Sequence, residues 1–414
     1  MKRIAIIGSG ISGMASAYLL APLYDVTLYE KNDTLGGHTR TKTITYDRET
    51  IAVDTGFIVF NHVNYPELKG LFDHLSVATQ KSDMTFGFTM NHGAFEWGAE
   101  NLNAVFGQRS NLFRPSFYRL IADVLRFFKY APLWLEQEKG GSLDELLTSL
   151  GTDADFKERF ILPMGAAIWS CPAEKIQSFP ARSFVQFFKN HGLLSLDGQH
   201  QWYTVTGGAE RYVEKIIAPL KKSIRLSSAV ERVWQENDKV MVKTRDDVAA
   251  YDHVVFASHA DETLAMLSDA NAEETRVLSA FQYQANLAYL HRDESVMPKR
   301  KRCWASWIYS ANGAKDVSVT YWMNRLQSID SRYPLFVTLN PDRPIAPEKI
   351  FDVHQFSHPI FTREAIEAQK DIPAIQGRRN IWFCGAYQRY GFHEDGIASA
   401  VAVAQLLGAK IPWH

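Results

Sequence analysis

Short unbroken apolar runs alternate along this chain with stretches whose apolar positions recur every three or four residues. That mixture is expected of buried parallel strands interleaved with helices. Residues 4–7 (Ile-Ala-Ile-Ile) read as a buried strand, residues 14–20 as a helix, and residues 25–30 (Asp-Val-Thr-Leu-Tyr-Glu) as a second strand. Downstream, residues 224–234 and 239–242 are strand-like and flank a turn at Asn237-Asp238, and residues 252–258 read as another buried strand. Near the C-terminus a strand at 380–383 runs to Gly385, and residues 397–407 form a helix of small residues. Residues 111–135 have a helical period too: Phe117, Leu120, Ile121, Val124, Phe127, Phe128 and Ala131 share one face, while Arg119, Asp123 and Arg126 fall elsewhere. Arg114, Arg119, Arg126 and Lys129 outnumber the single acid there, so the segment fits either a core helix or a basic amphipathic helix lying in a bilayer interface.

The first strand leads straight into Gly8-Ser9-Gly10-Ile11-Ser12-Gly13 and then the helix, the strand–turn–helix context that a G-x-G-x-x-G pattern requires. Gly8 permits the tight turn, Gly10 lets the backbone approach a pyrophosphate, and Gly13 lets helix and strand pack closely. The N–H groups of Ile11 and Ser12, at the positive end of the helix, then face the phosphates. Glu30 ends the second strand 22 residues after Gly8 and is placed to accept the ribose hydroxyls of an adenosine. The unit predicts a dinucleotide cofactor without choosing between NAD and FAD.

Length and composition narrow the remainder. With 414 residues, the chain is expected to form about two or three domains. Its 45 basic and 46 acidic residues leave no basic excess for nucleic acid. Cys171, Cys303 and Cys384 are few and scattered, with neither a CxxC pair nor a metal-ligand spacing, so no metal is expected. No apolar run approaches the ~18 residues of a membrane span, and residues 4–7 are too short for a signal-peptide core. A reduced, cytoplasmic protein is expected, at most peripheral at the inner face of a membrane. The 13% aromatic content points to a large apolar cavity or a greasy surface.

The segment after the second strand, Glu30-Lys31-Asn32-Asp33-Thr34-Leu35-Gly36-Gly37-His38-Thr39-Arg40, resembles the glycine-pair motif of the flavin-containing amine oxidase and phytoene desaturase superfamily. That resemblance selects FAD over NAD. It implies that Lys31, Gly36, Gly37, His38, Thr39 and Arg40 lie along the cofactor, with Arg40 on a phosphate, although the family more often has a basic residue where this chain has His38. Asp54-Thr55-Gly56-Phe57 resembles the stretch that runs beside the flavin, and the family binds adenine with the backbone of a residue near Val230. Residues 380–386 and 390–396 resemble the C-terminal flavin motif, which brings Gly385, His393, Gly396 and Ile397 to the ring; the family's usual Glu after the strand's glycine is Ala386 here. Because the motifs sit at opposite ends of the chain, the resemblance implies an α/β protein with a discontinuous Rossmann-like FAD-binding domain (1–75, 201–262, 371–414). An α+β substrate domain (76–200, 263–370) is inserted into it.

The resemblance also frames the chemistry. Flavin oxidation removes a hydride and often needs a base. His393 and Glu394 are the candidate catalytic residues, Tyr387, Tyr390 and Phe392 the candidate substrate-pocket residues, and Asp395 a helix cap. The run 281–291 corresponds to the strand that carries an oxygen-activating lysine in many amine oxidases, and it has no lysine. Blocks such as residues 304–307, 321–327 and 391–396 are similar to a bacterial branch near a flavin-dependent desaturase of methyl-branched fatty acyl chains. The expectation is therefore a non-covalent FAD, a lipid or other apolar small-molecule substrate, an unidentified electron acceptor and a membrane-surface association. An amine oxidase, a flavin-dependent isomerase and a non-catalytic flavin-binding membrane module are the alternatives.

Overall fold

The computed structural model describes residues 1–136, 140–169, 173–195, 200–312 and 317–414. At its centre is a five-stranded parallel sheet in the order Ile224–Arg225, Asp25–Tyr29, Arg3–Ile7, His253–Phe256, Ile381–Phe383. Ile4 pairs with Val26 on one side and His253 on the other, and Ile4, Ala5 and Ile6 are wholly buried. That burial on both faces explains why residues 4–7 read as a continuous apolar run. Three widely separated stretches of chain supply the sheet.

One face of the sheet carries the helices Ile11–Leu20, Pro66–His74, Glu210–Ile217 and His393–Leu406. The first and last of these approach so closely that a Cβ on Gly396 would lie 2.8 Å from Ile11 Cγ2. The other face packs on an antiparallel sheet, Val230–Glu236, Lys239–Thr244 and Val248–Tyr251. The helices Ala272–Leu278 and Arg363–Gln369 pack there as well, placing Val277, Leu278, Ala365 and Ala368 in one core with Val254 and Phe383. Both helices fall within the stretch 263–370 that the sequence reading gives to the substrate domain, and their apolar faces pack on the parallel sheet.

The second half of the molecule is a seven-stranded sheet in the order Ile350–Ile360, Gln282–His291, Phe336–Leu339, Val317–Trp322, Trp307–Ala311, Phe86–Met90, Phe95–Gly98. A helical layer including Pro115–Glu136, Leu162–Trp169 and Ala181–Asn190 shares its core. The long helix Pro115–Glu136 turns Phe117, Leu120, Phe127 and Ala131 inward, each at most 4% exposed. Phe127 packs on Phe156 at 5.6 Å between ring centres, and Phe128 lies against Phe160 at 6.3 Å. Even Asp123 is buried on this face, where it accepts the Asp153 N–H and the Arg126 guanidinium. The face offered by sequence to a bilayer is thus a core face. Among the described residues no helix is long and apolar enough to cross a membrane.

Candidate functional site

A single cavity of about 490 Å³ runs from the carboxyl ends of the parallel strands to the seven-stranded sheet. Its nucleotide end is built from backbone. Gly8 adopts φ +102°, and a Cβ there would meet Ala257 O at 2.8 Å. A Cβ on Gly13 would sit 1.8 Å from Gly8 O, so the turn and the helix can close on each other only through glycine. At Gly10 the situation is opposite: a Cβ would project into open space, with nothing within 4 Å. Gly37, at φ +58°, comes within 3.1 Å of Gly10 Cα by the same measure. Ile11 and Ser12 line this space, and the first turn of their helix carries no acidic side chain. An open volume, a bare helix N-terminus and two apposed glycine backbones fit a dinucleotide pyrophosphate.

Glu30 is buried at the strand end and lines the same space. Its Oε2 accepts Ser9 N–H (3.0 Å) and Oγ–H (2.6 Å), while Oε1 accepts Asn32 N–H (2.9 Å) and Nδ2 (2.8 Å). Those bonds occupy the carboxylate's acceptor positions, so a ribose hydroxyl must displace the Ser9 or Asn32 side chain. Lys31 lines this end too and pairs with Glu262 at 2.6 Å.

A wall of histidines forms the middle. His38, His259, His354, His358 and His393 all face the cavity, with His38 and His358 ring centres 5.2 Å apart. Burial, reinforced by repulsion between neighbouring rings, holds His38 well below the ordinary imidazole range and His358 at about 4. The wall therefore presents uncharged ring nitrogens. Asn340 Nδ2 donates to Asn286 Oδ1 at 2.7 Å and Asn286 Nδ2 donates to His358 Nδ1 at 2.8 Å, which leaves Nε2 of that ring as the proton-bearing nitrogen. His393 Nε2 lies 2.6 Å from Tyr212 OH and 3.2 Å from Thr39 Oγ1, and its ring stacks on Phe57 at 3.9 Å. Burial alone pushes its pKa down to about 3.

The far end is aromatic. Met84, Ile168, Trp169, Trp202, Trp307 and Tyr321 line it with Tyr390 and Phe392, whereas Tyr387 packs on Phe281 at 4.8 Å in the core of the parallel sheet. Phe187, from the Phe-rich segment 179–188, backs this wall, its ring 5.1 Å from Phe392. The charged residues of the cavity, Glu30, Lys31 and Glu262, are all at the nucleotide end. Among the described residues the indole N–H groups of Trp169 and Trp307 are buried without a partner.

The sequence-predicted residues divide accordingly. Gly10, Ile11, Ser12, Glu30, Lys31, Gly37, His38, Gly56, Phe57, Gly385 and His393 line the cavity together with Tyr387, Tyr390 and Phe392. Gly8, Gly13, Gly36, Thr39, Thr55, Gly396 and Ile397 stand behind it and shape its wall. Val230 begins the antiparallel sheet opposite Thr244 and is not a lining residue, although Ser228, two residues before it, donates its N–H to Glu30 O at 2.8 Å. Two expected roles change. Arg40 pairs with Asp352 at 2.6 Å and bonds Thr55, so its charge is spent inside the protein. Glu394 does not face the cavity: its two oxygens accept the N–H groups of Glu67 and Leu68, both at 3.0 Å, at the start of helix Pro66–His74. It is a helix cap, which is the ordinary use of a carboxylate at that place. Asp395 accepts the Phe392 N–H at 2.9 Å and the Tyr390 N–H at 3.2 Å and so pins the loop. Cys384 is buried beside Ser16, Cys303 lies far from the lining, and Cys171 is outside the described residues.

Sequence reading missed His259, His354, His358 and the three tryptophans. His354, Phe356 and His358 alternate along one strand and so share a face, a period-2 signal that was available. The tryptophans come from three segments with no common motif.

The model of the flavin containing amine oxidoreductase family matches residues 11–302. No protein of curated function matches the sequence. Among solved structures the chain is similar to a CLA-producing fatty acid isomerase from P. acnes, with a TM-score of 0.71 and 16% identity over 99% of each chain. It is also similar to a putrescine oxidase bound to putrescine (TM-score 0.67, 15% identity, 98% of each chain). A third is cyclohexylamine oxidase from Brevibacterium oxydans (TM-score 0.64, 15% identity, 98% of this chain and 99% of that one). At these identities the likeness is one of fold.

Proposed function

This chain belongs to the flavin containing amine oxidoreductase family, and from that premise we propose that it binds FAD non-covalently and dehydrogenates an apolar acyl substrate. The observation that carries the substrate reading is the segregation of charge: every charged lining residue is at the nucleotide end, and the far end is aromatic. A bound flavin supplies a hydride acceptor at N5. Gly10, Ile11, Ser12 and Gly37 would hold its pyrophosphate, and Glu30 and Asn32 its ribose. The aromatic walls exclude water and hold an alkyl chain, which gains ~0.8 kcal/mol per buried CH₂. The fatty acid isomerase of similar fold has a substrate of the same chemical class.

Among the described residues, the only lysine lining the cavity is Lys31, already paired with Glu262. The strand Gln282–His291 contributes Tyr283 to the wall and has no lysine, whereas the strand it resembles carries an oxygen-activating lysine in many amine oxidases. This favours an electron acceptor other than oxygen.

The test is anaerobic flavin reduction by fatty acyl substrates and by primary amines in parallel, with mass spectrometry of the product. Acyl-dependent bleaching with a product two hydrogens lighter supports the reading. Bleaching by amines alone replaces it with amine oxidation, and an acyl product of unchanged mass replaces it with isomerisation. Acid precipitation should release the flavin to the supernatant; colour retained in the pellet overturns the non-covalent assignment.

A further inference from the structure

The molecule has a second concavity outside the cofactor cavity, and its lining is basic. The segment 107–110 and the turn 300–302 enclose a cleft of about 610 Å³, lined by Gly107, Gln108, Arg109, Ser110, Arg300, Lys301 and Arg302. The two segments are locked together: a Cβ on Gly107 would sit 2.5 Å from Cys303 Sγ. Gln108 is buried and anchors the floor, accepting the Glu96 N–H at 2.7 Å and donating to Ala94 O at 2.9 Å. Arg300 is neutralised by buried Glu96 at 2.9 Å. The other three cations are not so matched. Arg109 is steered by neutral acceptors only, Phe106 O at 2.9 Å and Asn103 Oδ1 at 2.6 Å. Lys301 meets Glu294 loosely at 3.8 Å, and Arg302 has no carboxylate partner among the described residues.

The same short helix that carries Arg109 ends in Leu112 and Phe113. Phe113 is 86% exposed, and Leu102, next to the Asn103 that holds Arg109, is 78% exposed. Tyr118, half exposed, donates its hydroxyl to Leu112 O at 2.9 Å and so belongs to the same surface. Phe113 and Leu102 stand clear of the protein, while Leu112 and Tyr118 are half-sunk. Water solvates such chains poorly, and exposed apolar groups grouped in this way mark an interaction site.

We infer that this surface docks on an anionic phospholipid membrane, with Phe113 and Leu102 among the acyl chains and lipid phosphates at Arg109, Lys301 and Arg302. Projecting apolar side chains with cations at their base match a layer in which hydrocarbon lies just beneath phosphate. Protein interfaces enrich arginine and aromatic side chains but deplete lysine, so it is Lys301 in this cluster that favours lipid phosphate over a protein partner. This is a different surface from the helix face Phe117 to Ala131, which is inside the core. It also stands independently of the substrate reading, since a docked amine oxidase would present the same surface.

Flotation of the flavin-loaded protein with phosphatidylcholine vesicles, and with vesicles in which phosphatidylserine is about a third of the lipid, tests the inference. Wild type should bind the anionic vesicles at least ~10-fold more tightly, with the advantage shrinking as salt rises. The pair Leu102→Asp and Phe113→Asp should each weaken binding by ~10-fold, as should the double change Lys301→Glu and Arg302→Glu. All four positions are exposed, so flavin content and melting temperature should be unchanged and serve as the folding control. Wild type that stays below both vesicle types, binds them equally, or is matched by these variants overturns the inference, as does binding to acidic proteins but not to anionic vesicles.

Discussion

The two ends of the cofactor cavity are made in different ways. At the nucleotide end, contiguous backbone does the work: Gly8, Gly10 and Gly13 shape one turn, and Glu30 is set by bonds to Ser9 and Asn32. At the apolar end, side chains from remote segments converge, with Met84, Trp169, Trp202, Trp307 and Tyr321 coming from five different places in the chain. A backbone-built site tolerates almost no change at its glycines, whereas a site built of side chains loses affinity in instalments. That difference can be broken or sharpened by experiment.

The largest effect is expected from Gly10→Val. Because a Cβ at Gly10 meets nothing within 4 Å, the protein should fold with stability changed by no more than ~1 kcal/mol, yet flavin stoichiometry should fall at least ~100-fold. A fully yellow Gly10→Val protein would remove the pyrophosphate from this turn. Next comes Trp307→Ala at the other end. It should keep its flavin and lower kcat/KM for the acyl substrate by ~10- to 100-fold, the loss expected for one large aromatic wall residue. If it loses flavin instead, the two ends are not separable.

A smaller effect is expected where the two ends meet. With its pKa held near 3 by burial, His393 stays neutral across the physiological range. The pH profile of flavin reduction should therefore show no inflection near 6.5 that depends on this ring, and His393→Gln should change the rate only ~10-fold or less. An inflection present in wild type and absent from His393→Gln would falsify this and restore the ring as a base. The smallest effect on catalysis belongs to Glu394→Gln. As a helix cap it should cost ~1 kcal/mol of stability and leave the rate of flavin reduction within about twofold. Burial raises the Glu394 pKa from 4.5 to about 8, so the folded state holds this proton to higher pH than the unfolded chain does. That contribution is complete below pH 4.5 and is lost as pH rises towards 8. Glu394→Gln should flatten the decline over that window, as followed by denaturant titration at several pH values; an unchanged slope with slowed reduction would point to a catalytic carboxyl.

Local pattern carried a good deal of this. The parallel strands at 4–7 and 254–256 were legible because burial on both faces leaves an unbroken apolar run, and the strand at 25–29 from Val26, Leu28 and Tyr29 ahead of Glu30. The glycine turn was legible because its spacing follows from sterics within a few residues: Gly13 has no room for a methyl group against Gly8 O. The helix Pro115–Glu136 was visible from its period, but the period could not say what covers its apolar face. Phe156, Phe160 and Phe188 do so, and only folding brings them there.

Tertiary structure alone decided the partners of charged and polar groups. Arg40 stands where a phosphate contact was expected, but Asp352, 312 residues away, reaches it first. Glu394 follows His393 in the chain, yet successive helical residues point about 100° apart, so one faces the cavity and the other the start of a neighbouring helix. The histidine wall and the tryptophan end are likewise products of convergence, since strand pairing sets Asn286 beside His358 from positions 72 residues apart. Sequence by itself determined the glycine turn, because short-range sterics specify its backbone. The substrate end, the charge partners and the exposed Phe113 surface depend on which distant side chains the packed sheets and helices bring together, and short-range pattern holds no record of that.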